Sequence, residues 1–507
     1  MNARNLQRHL ADESGTMLFG EDIAAALKPG DVLALEGDLG AGKTSLARAV
    51  IRALTGNPSL EVPSPTFTLV QSYDARIPAR HFDLYRLSDP GELLELGFDE
   101  AREEGVVLVE WPERAAGLIG DDVIRVRLDE EGEGRIADIA APPEALARLE
   151  RSLAVRDFVG KTDWVGGHRA FLLGDASTRA YETVTAKGKP GVILMNSPQR
   201  TDGPPVRDGK PYSRIAHLAE NVKPFVAIGN ALRRQGIAAP EVLAQDLREG
   251  LLLIENLGCE GVIDRDGRPI AERYVAAAEL LARLHAVDWP HEYEIAPGSR
   301  YPIADYDRGA MTIEVELYVD WYLPEMAGAS DASVRERFAQ QWNTVFDRLE
   351  KAEKSLVLRD FHSPNLLWRG DRKGHDRLGV IDFQDALIGP SAYDVASLAM
   401  DARVTVEPAL EKAILDAYCR ARMAAGAFDR PTFDRAAFEE AYAIMAAQRN
   451  SKILGIFVRL NRRDGKPQYM KHLPRIRDYM ARALSHEALA PVREFYHDMA
   501  TAAGIAQ

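Results

Sequence analysis

An apolar run, Val32-Leu33-Ala34-Leu35, is followed at once by Gly37-Asp38-Leu39-Gly40-Ala41-Gly42-Lys43-Thr44 and then by Leu46–Leu54, whose apolar residues recur at helical spacing. Few arrangements constrain a fold more tightly. A buried strand must deliver a glycine loop to the start of a helix, so that backbone N–H groups and the helix N-terminus converge on phosphate oxygens. The implied architecture is an α/β layer with a parallel sheet. Gly37, Asp38, Gly40, Ala41, Gly42, Lys43, Thr44 and Ser45 are therefore the expected ATP-binding positions. Lys43 is expected to reach the β- and γ-phosphates, and the Thr44 hydroxyl to ligate Mg²⁺. The competing reading, a glycine-rich turn with a chance Gly-Lys-Thr, does not account for both flanks.

An amphipathic segment, Phe19–Leu27, precedes the strand and ends at Pro29-Gly30, and Ser64–Val70 reads as an ordered loop feeding another strand. Val106–Val109 is a third apolar strand and ends in Glu110-Trp111-Pro112-Glu113. An acid at the end of a buried strand is where a phosphate-loop enzyme keeps a second carboxylate on the metal side. Position alone leaves Glu110 open between that role and a surface acid. Four blocks in order, Gly37–Ser45, Ser64–Val70, His81–Leu87 and Val109–Arg114, make residues 18–128 resemble the TsaE family of small P-loop ATPases. That resemblance implies Lys43, Thr44, Asp83 and Glu110 as functional positions, a TsaB–TsaD-like complex as partner, and work in tRNA threonylcarbamoyladenosine synthesis.

The chain has 507 residues, so two or three domains are expected. Net charge is -14, which argues against non-specific binding of nucleic acid or anionic membrane by the chain as a whole, and no direct DNA contact is expected. No apolar run approaches a membrane span, Met1–Thr16 lacks a secretory core, and the two cysteines, Cys259 and Cys419, sit far apart without metal-site spacing. Together these point to the cytoplasm. The acidic turn Asp129–Gly134 and the helix opened by Pro142-Pro143 suggest a boundary. The expected divisions are a P-loop domain over 1–141, a linker helix over 142–157, and a second, two-lobed domain over 158–258 and 259–507.

In the second part, Arg359-Asp360-Phe361-His362-Ser363-Pro364-Asn365 reads as a loop with an aspartate and a following asparagine, and Val380-Ile381-Asp382 as a short strand ending in an aspartate. Phosphoryl transfer from ATP needs a carboxylate to orient the acceptor hydroxyl and oxygen ligands to hold Mg²⁺ against the phosphates. Asp360 is the expected base or orienting group, and Asn365 and Asp382 the expected Mg²⁺ ligands. His362 is expected to brace the loop by hydrogen bonding, and Asp394 to cap a helix or pair with the loop. His285, on an apolar helical stripe, reads as a packed residue. Asp320, Trp321 and Tyr322 suit either a sugar site or a core.

This stretch resembles the aminoglycoside phosphotransferase and choline kinase superfamily, and with Gly174–Ser177, Asp320–Tyr322, Gln448–Phe457 and Arg459–Lys466 it resembles the AmgK-like anomeric sugar kinases, from about Asp157 onward. The implied fold is an α+β bilobal kinase-like domain behind the α/β P-loop NTPase domain. The implied activity is ATP- and Mg²⁺-dependent phosphorylation of the C1 hydroxyl of an amino sugar, N-acetylmuramate or N-acetylglucosamine. Gly174, Ser177, Arg179, Glu255 and Leu257 are the implied ATP contacts, and Asp320, Trp321, Tyr322, Asp385 and Arg449 the candidate substrate contacts. The third strand of this part ends Leu194-Met195-Asn196 without the lysine that kinase folds carry there, so either another basic group substitutes, with Arg179 and Lys187 as candidates, or nucleotide binding is arranged differently. The basic cluster Arg459–Lys466 suits either an anionic substrate group or a solvated face. The alternative is an aminoglycoside or choline-type phosphotransferase, for which acids near the acceptor site would suit a polycation, fused to a non-catalytic TsaE-like binding module.

Overall fold

The computed structural model describes residues 6–115, 117–172, 179–328, 331–425, 433–502 and 504. The chain forms two compact units, one of residues 1–197 with 244–254 and one of residues 198–243 with 255–507.

The first unit is built on a seven-stranded sheet of β1 (Leu6–Leu10), β2 (Val32–Glu36), β3 (Val70–Tyr73), β4 (Ala79–Asp83), β5 (Val106–Glu110), β6 (Ile124–Glu131) and β7 (Gly134–Ala140). Their spatial order is β1-β7-β6-β2-β5-β4-β3. The middle of the sheet, β6-β2-β5-β4, is parallel, whereas β1, β7 and β3 add on antiparallel. Because both faces of β2 are covered, the strand reads as a continuous apolar run: Leu33 and Leu35 enter one core, Val32 and Ala34 the other. Helix α1 (Glu13–Ala26) starts earlier than the apolar stripe alone suggests, because the Asp12 carboxylate accepts the Gly15 N–H at 2.8 Å and caps it. A Cβ on Gly20 would collide with Ala49 Cβ, so this glycine lets α1 cross close over α2 (Lys43–Thr55). The acidic turn expected near a domain boundary is the tip of the β6–β7 hairpin, and β7 returns to pair with β1.

The segment expected as a linker is the helix Pro143–Val159, and it has two apolar faces. Ala145, Leu149 and Leu153 complete the core under α1 and α2. Val155, Phe158 and Val159 pack instead with Val184, Val192, Leu194, Leu251 and Leu253 of a second, five-stranded sheet. That sheet runs in the order 242–246, 251–255, β10 (Val192–Asn196), β9 (Ala180–Thr185), β8 (His168–Leu172), with β8, β9 and β10 an antiparallel meander. One helix thus serves two cores, which is why no Gly/Ser tether appears between them.

A buried ionic cluster joins the same layers. Arg169 on β8 donates to Glu182 Oε2 and Oε1 at 2.7 and 2.8 Å and to Asp22 Oδ1 of α1 at 2.8 Å. Arg156 of the shared helix donates to Asp22 Oδ1 at 2.9 Å and to Glu21 Oε2 at 2.9 Å. Burial pushes the Asp22 carboxyl up to about 6 even against these two guanidiniums.

The second unit is mainly helical and is organised on the 30-residue helix Arg435–Asp464, capped by Asp434. A Cβ on Gly455 would collide with the Leu317 carbonyl, so the helix approaches the Tyr318–Tyr322 turn through this glycine. Inside the unit Glu314, fully buried, is an acceptor for four groups: the Arg359 guanidinium, Lys452 Nζ at 2.8 Å, Gln448 Nε2 at 3.0 Å and the Tyr306 hydroxyl. Burial opposes its charge, but Lys452 and Arg359 outweigh burial and lower its pKa from 4.5 to about 2.

Both clusters set stability. Arg169→Ala leaves Glu182 without its counter-charge and Asp22 with Arg156 alone, so urea unfolding of the full chain is expected to show a loss of about 3–5 kcal/mol. For Glu314 the folded pKa lies below the unfolded one, so its contribution is complete above pH 4.5 and disappears as pH falls toward 2. That contribution is on the order of 3 kcal/mol. Glu314→Gln is expected to lower the urea midpoint at pH 7 and to flatten the acid decline between pH 4.5 and 2, read from denaturation curves at stepped pH.

Candidate active sites

The first site lies at the C-terminal ends of β2, β4 and β5. Gly37, Gly40 and Gly42 hold positive φ of 133, 86 and 104°, and a Cβ on Gly37 would collide with the Leu128 carbonyl oxygen. Lys43 Nζ donates to the carbonyls of Gly37 at 2.7 Å and Asp38 at 2.8 Å and sits 3.6 Å from the centre of the Trp111 ring. Burial lowers its pKa, and Glu110, Glu113, Asp83 and Asp38 work in the opposite direction. The Thr44 hydroxyl donates to Glu110 Oε2 at 2.8 Å. Asp83 and Glu110 face each other in register on the parallel pair β4 and β5. Asp83 Oδ2 accepts from the Ser64 and Thr66 hydroxyls at 2.7 and 2.8 Å, so the two-proline loop is what fixes that acid. Glu110 is 2 % exposed, which removes the surface-acid reading. His81, not singled out in the sequence, holds the other oxygen of Glu110 at 2.9 Å. The period-two alternation that buries His81 with Asp83 was the available signal.

The second site lies in the second unit. Asp394 is neither a helix cap nor a side-chain ion-pair partner of the catalytic loop, as the sequence suggested: the cap residue of helix Ala392–Ala399 is Ser391, and the Asp394 carboxylate accepts the backbone N–H groups of Leu358 at 2.6 Å and Arg359 at 2.8 Å. His285 is packed as expected, 3.0 Å from the Tyr418 hydroxyl and 3.7 Å from Asp394. Arg359 takes φ 68° immediately before Asp360, and Asp382 takes φ 58°. A left-handed backbone at two side-chain-bearing residues is costly and persists because surrounding bonds over-determine it. Here the bonds are those of Asp394 and Glu314 to Arg359, and of Gln384 Nε2 to Asp382 Oδ1 at 2.8 Å.

Around Asp360 the charges are basic. Burial works against its carboxylate, yet Lys452, His362, Arg449 and Arg359 hold its pKa below the ordinary value. Asn365 donates Nδ2 to the Asp360 carbonyl at 2.9 Å, which leaves its Oδ1 available for a cation. His362 braces the loop through its backbone, donating its N–H to the Asp360 carbonyl at 3.1 Å and accepting from Asn365 N at 2.9 Å, whereas its ring Nδ1 lies 3.8 Å from Asp401 and has no hydrogen-bond partner among the described residues. Asp401, missed in the sequence, accepts from Ser363 N at 2.8 Å, Arg403 N at 2.8 Å and the Tyr274 hydroxyl at 2.9 Å, and is held well below the usual carboxylate range against its burial. Glu314, Lys452 and Gln448 were also missed as working residues, although Gln448 and Lys452 both lie within Gln448–Phe457; their convergence crosses 138 residues of chain, from Glu314 to Lys452.

The remaining candidates divide. Asp385 Oδ1 accepts the Ala219 N–H at 2.6 Å and so fixes a neighbouring segment. Arg449 is buried, donates to the Met400 carbonyl at 3.3 Å and has no ion pair among the described residues. Tyr322 is 3 % exposed, stacks on Tyr318 at 5.1 Å and lines a cavity of about 340 Å³ that includes none of Asp360, Asn365 and Asp382, which is the core reading. Asp320 pairs with Arg335, and Trp321 is half-buried. Glu255 pairs with Arg233 at 3.2 Å, and Leu257 packs on Gly379, where a Cβ would come within 2.9 Å of it. Arg179 immediately precedes β9; Gly174 and Ser177 lie outside the described residues. Lys187 sits in the β9–β10 turn.

Among the described residues no group of three or more His, Cys, Asp or Glu side chains is arranged to hold a metal by itself, and no helix is long and apolar enough to cross a membrane. The two candidate Mg²⁺ sets, Thr44 with Asp83 and Glu110, and Asn365 with Asp382, are few-ligand oxygen sets of the kind that share the cation with phosphates and water.

A family model for the threonylcarbamoyl adenosine biosynthesis protein TsaE matches residues 10–137, and one for the phosphotransferase enzyme family matches residues 168–433. An N-acetylmuramate/N-acetylglucosamine kinase from Caulobacter vibrioides is 34% identical over 359 residues, 68% of this chain and 96% of that protein. A kinase of the same description from Pseudomonas putida is 31% identical over 60% of this chain and 80% of its own length. A tRNA threonylcarbamoyladenosine biosynthesis protein TsaE from Rickettsia conorii is 41% identical over 121 residues, 24% of this chain and 69% of that protein. The chain is thus a fusion that belongs to the TsaE family in its N-terminal part and to the phosphotransferase enzyme family in the remainder.

Proposed function

We propose that this is a bifunctional enzyme: a kinase that transfers the γ-phosphoryl group of ATP to the anomeric C1 hydroxyl of N-acetylmuramate or N-acetylglucosamine, preceded by an ATPase that serves tRNA threonylcarbamoylation together with a TsaB–TsaD-like complex. The functional division follows 1–141 and 158–507, with the shared helix between. The observation that carries the kinase reading is Asp360, ionised and ringed by Lys452, His362, Arg449 and Arg359. A carboxylate held below its ordinary range is a weak base. Its work is to accept a hydrogen bond from the acceptor hydroxyl and aim the oxygen, taking the proton late, as fits a loose transition state. Asn365 and Asp382 would hold Mg²⁺, which supplies charge neutralisation at the transferring phosphate. Arg449, buried and without a carboxylate partner among the described residues, is suited to a phosphate oxygen. The ATP roles of Gly174, Ser177, Arg179, Glu255 and Leu257 rest on the family resemblance.

In the N-terminal part Lys43 would leave the Gly37 and Asp38 carbonyls for the β/γ-phosphates, and Thr44, Asp83 and Glu110 would share a second Mg²⁺. The hydrogen bond from Thr44 to Glu110 is the observation behind this ligand set. A polycationic acceptor, as in aminoglycoside or choline phosphorylation, fits poorly, because Lys452, Arg449 and Arg359 give the Asp360 loop the wrong sign.

The test is a pair of substitutions in the full chain. Asp360→Asn is expected to lower sugar phosphorylation about 10²–10⁴-fold while sparing ATP hydrolysis stimulated by a TsaB–TsaD pair. Lys43→Ala is expected to do the reverse. Product NMR should locate the phosphate on C1. Loss of both activities from either substitution in a folded protein, or turnover of aminoglycosides or choline alone, refutes the assignment.

A further inference from the structure

Along the helix Arg435–Asp464, Arg449, Lys452, Ile456 and Arg459 recur at intervals of three and four, so they share one face. Two of its bases are accounted for: Lys452 pairs with Glu314, and Arg449 takes the Met400 carbonyl beside Asp360. Arg459 is not. Its guanidinium lies over the Tyr212 ring at 5.1 Å, it makes no ion pair with any described residue, and its Nε is buried without a hydrogen-bond partner. Burial lowers its pKa, and the nearby Arg463 adds to that. Asp464 is close enough to be felt, but both its oxygens accept from Arg463, at 2.8 and 3.0 Å. Arg462 pairs with Glu325 at 2.8 Å. A guanidinium that loses water without gaining a carboxylate is costly in the free protein. An anion brought by a ligand removes that cost.

The location says which ligand. Tyr212 opens the short helix Tyr212–Ile215, and the residues just after it are fastened to the Asp360 loop, where the Ala216 carbonyl accepts from Arg359 at 3.0 Å, and to the segment after Asp382, where Ala219 N donates to Asp385 at 2.6 Å. Tyr212 feels Glu314, Lys452, Arg459 and Arg359 together, so it bridges the catalytic loop to Arg459. Seven residues of helix from Lys452 to Arg459 span about 10 Å, the reach from a reacting hydroxyl across a hexose to an acidic substituent on its far side.

We propose that Arg459, seated on Tyr212, receives a carboxylate carried by the acceptor and so sets the enzyme's preference for a carboxylated amino sugar over a neutral one. This deepens the kinase reading above and rests on it for the identity of the acceptor. The carboxylate takes guanidinium edges that no described residue hydrogen-bonds, while Tyr212 keeps the plane of the fork fixed.

The experiment compares N-acetylmuramate, its carboxamide and N-acetylglucosamine on the full chain, by calorimetric binding and by kcat/KM with Mg²⁺ and ATP. The wild type is expected to bind the acid at least about tenfold more tightly than the amide, a difference of about 1.4 kcal/mol. In Arg459→Ala and Arg459→Gln the acid-to-amide ratio is expected to fall to within twofold, and in Arg459→Lys to recover in part. Equal binding of acid and amide by the wild type, or a ratio that survives Arg459→Ala, overturns the proposal. A binding ratio that depends on Arg459 in a protein that phosphorylates none of the three sugars supports the carboxylate site and refutes the kinase assignment, so the two failures are distinguishable.

Discussion

Glu314 is a carboxylate with no water around it, and the geometry near Asp360 depends on it. Its oxygens take Arg359, Lys452, Gln448 and Tyr306 at once. Three of these partners lie far from it in sequence: Arg359 on the loop that carries Asp360, and Gln448 and Lys452 on the long C-terminal helix. A buried acid in such a setting is tolerated only if every lone pair is used, and a group so fully engaged cannot shift without exposing an uncompensated charge. Arg359 is thereby held at a positive φ that its side chain disfavours, and Asp394 takes its N–H from the other side. The backbone just before Asp360 is thus held from both sides by two buried carboxylates, Glu314 and Asp394.

The same logic recurs in the first unit with different parts. Glu110 is a buried acid shared between Thr44 and His81, and Asp83 is fixed by Ser64 and Thr66. Away from the nucleotide loop, Arg169 and Arg156 gather Asp22, Glu21 and Glu182 where the helix Pro143–Val159 meets the five-stranded sheet. In all three places a polar cluster fixes register between layers whose apolar packing alone would tolerate sliding. The Asp22 carboxyl, pushed up to about 6, marks the one cluster where burial outweighs the available counter-charge.

A basic surround also decides what kind of acceptor is chemically sensible. Lys452 and Arg359 are both committed to Glu314, which leaves Arg449 as the buried base near Asp360 without an ion pair among the described residues. Arg459 stands further along the same helix face, stacked on Tyr212 and still without a counter-ion among the described residues. On that one helix face Lys452 is neutralised by Glu314, Arg449 donates to a backbone carbonyl, and Arg459 has no ion pair among the described residues.

Motifs read within a few residues of one another were legible in the chain itself. The glycine loop needs its strand and its helix in immediate succession, and Asp360, Asn365 and Asp382 need only a loop, a short strand and their order. Chemistry that local is written in spacing. Glu110 was recognisable as an acid at a strand end, but only the in-register pairing of β4 and β5 puts it opposite Asp83 and removes it from the surface. The helix Pro143–Val159 could be drawn from its periodicity, yet periodicity does not say that its two stripes enter two different cores. Asp394 was noticeable at a helix start, but Asp401, Glu314 and Lys452 carry no local signature for the contacts they make, since those groups lie dozens of residues away. Residue order determined which chemistry the chain carries; the tertiary structure decided which buried charges hold it in place, because desolvation and pairing exist only once distant segments have been brought together.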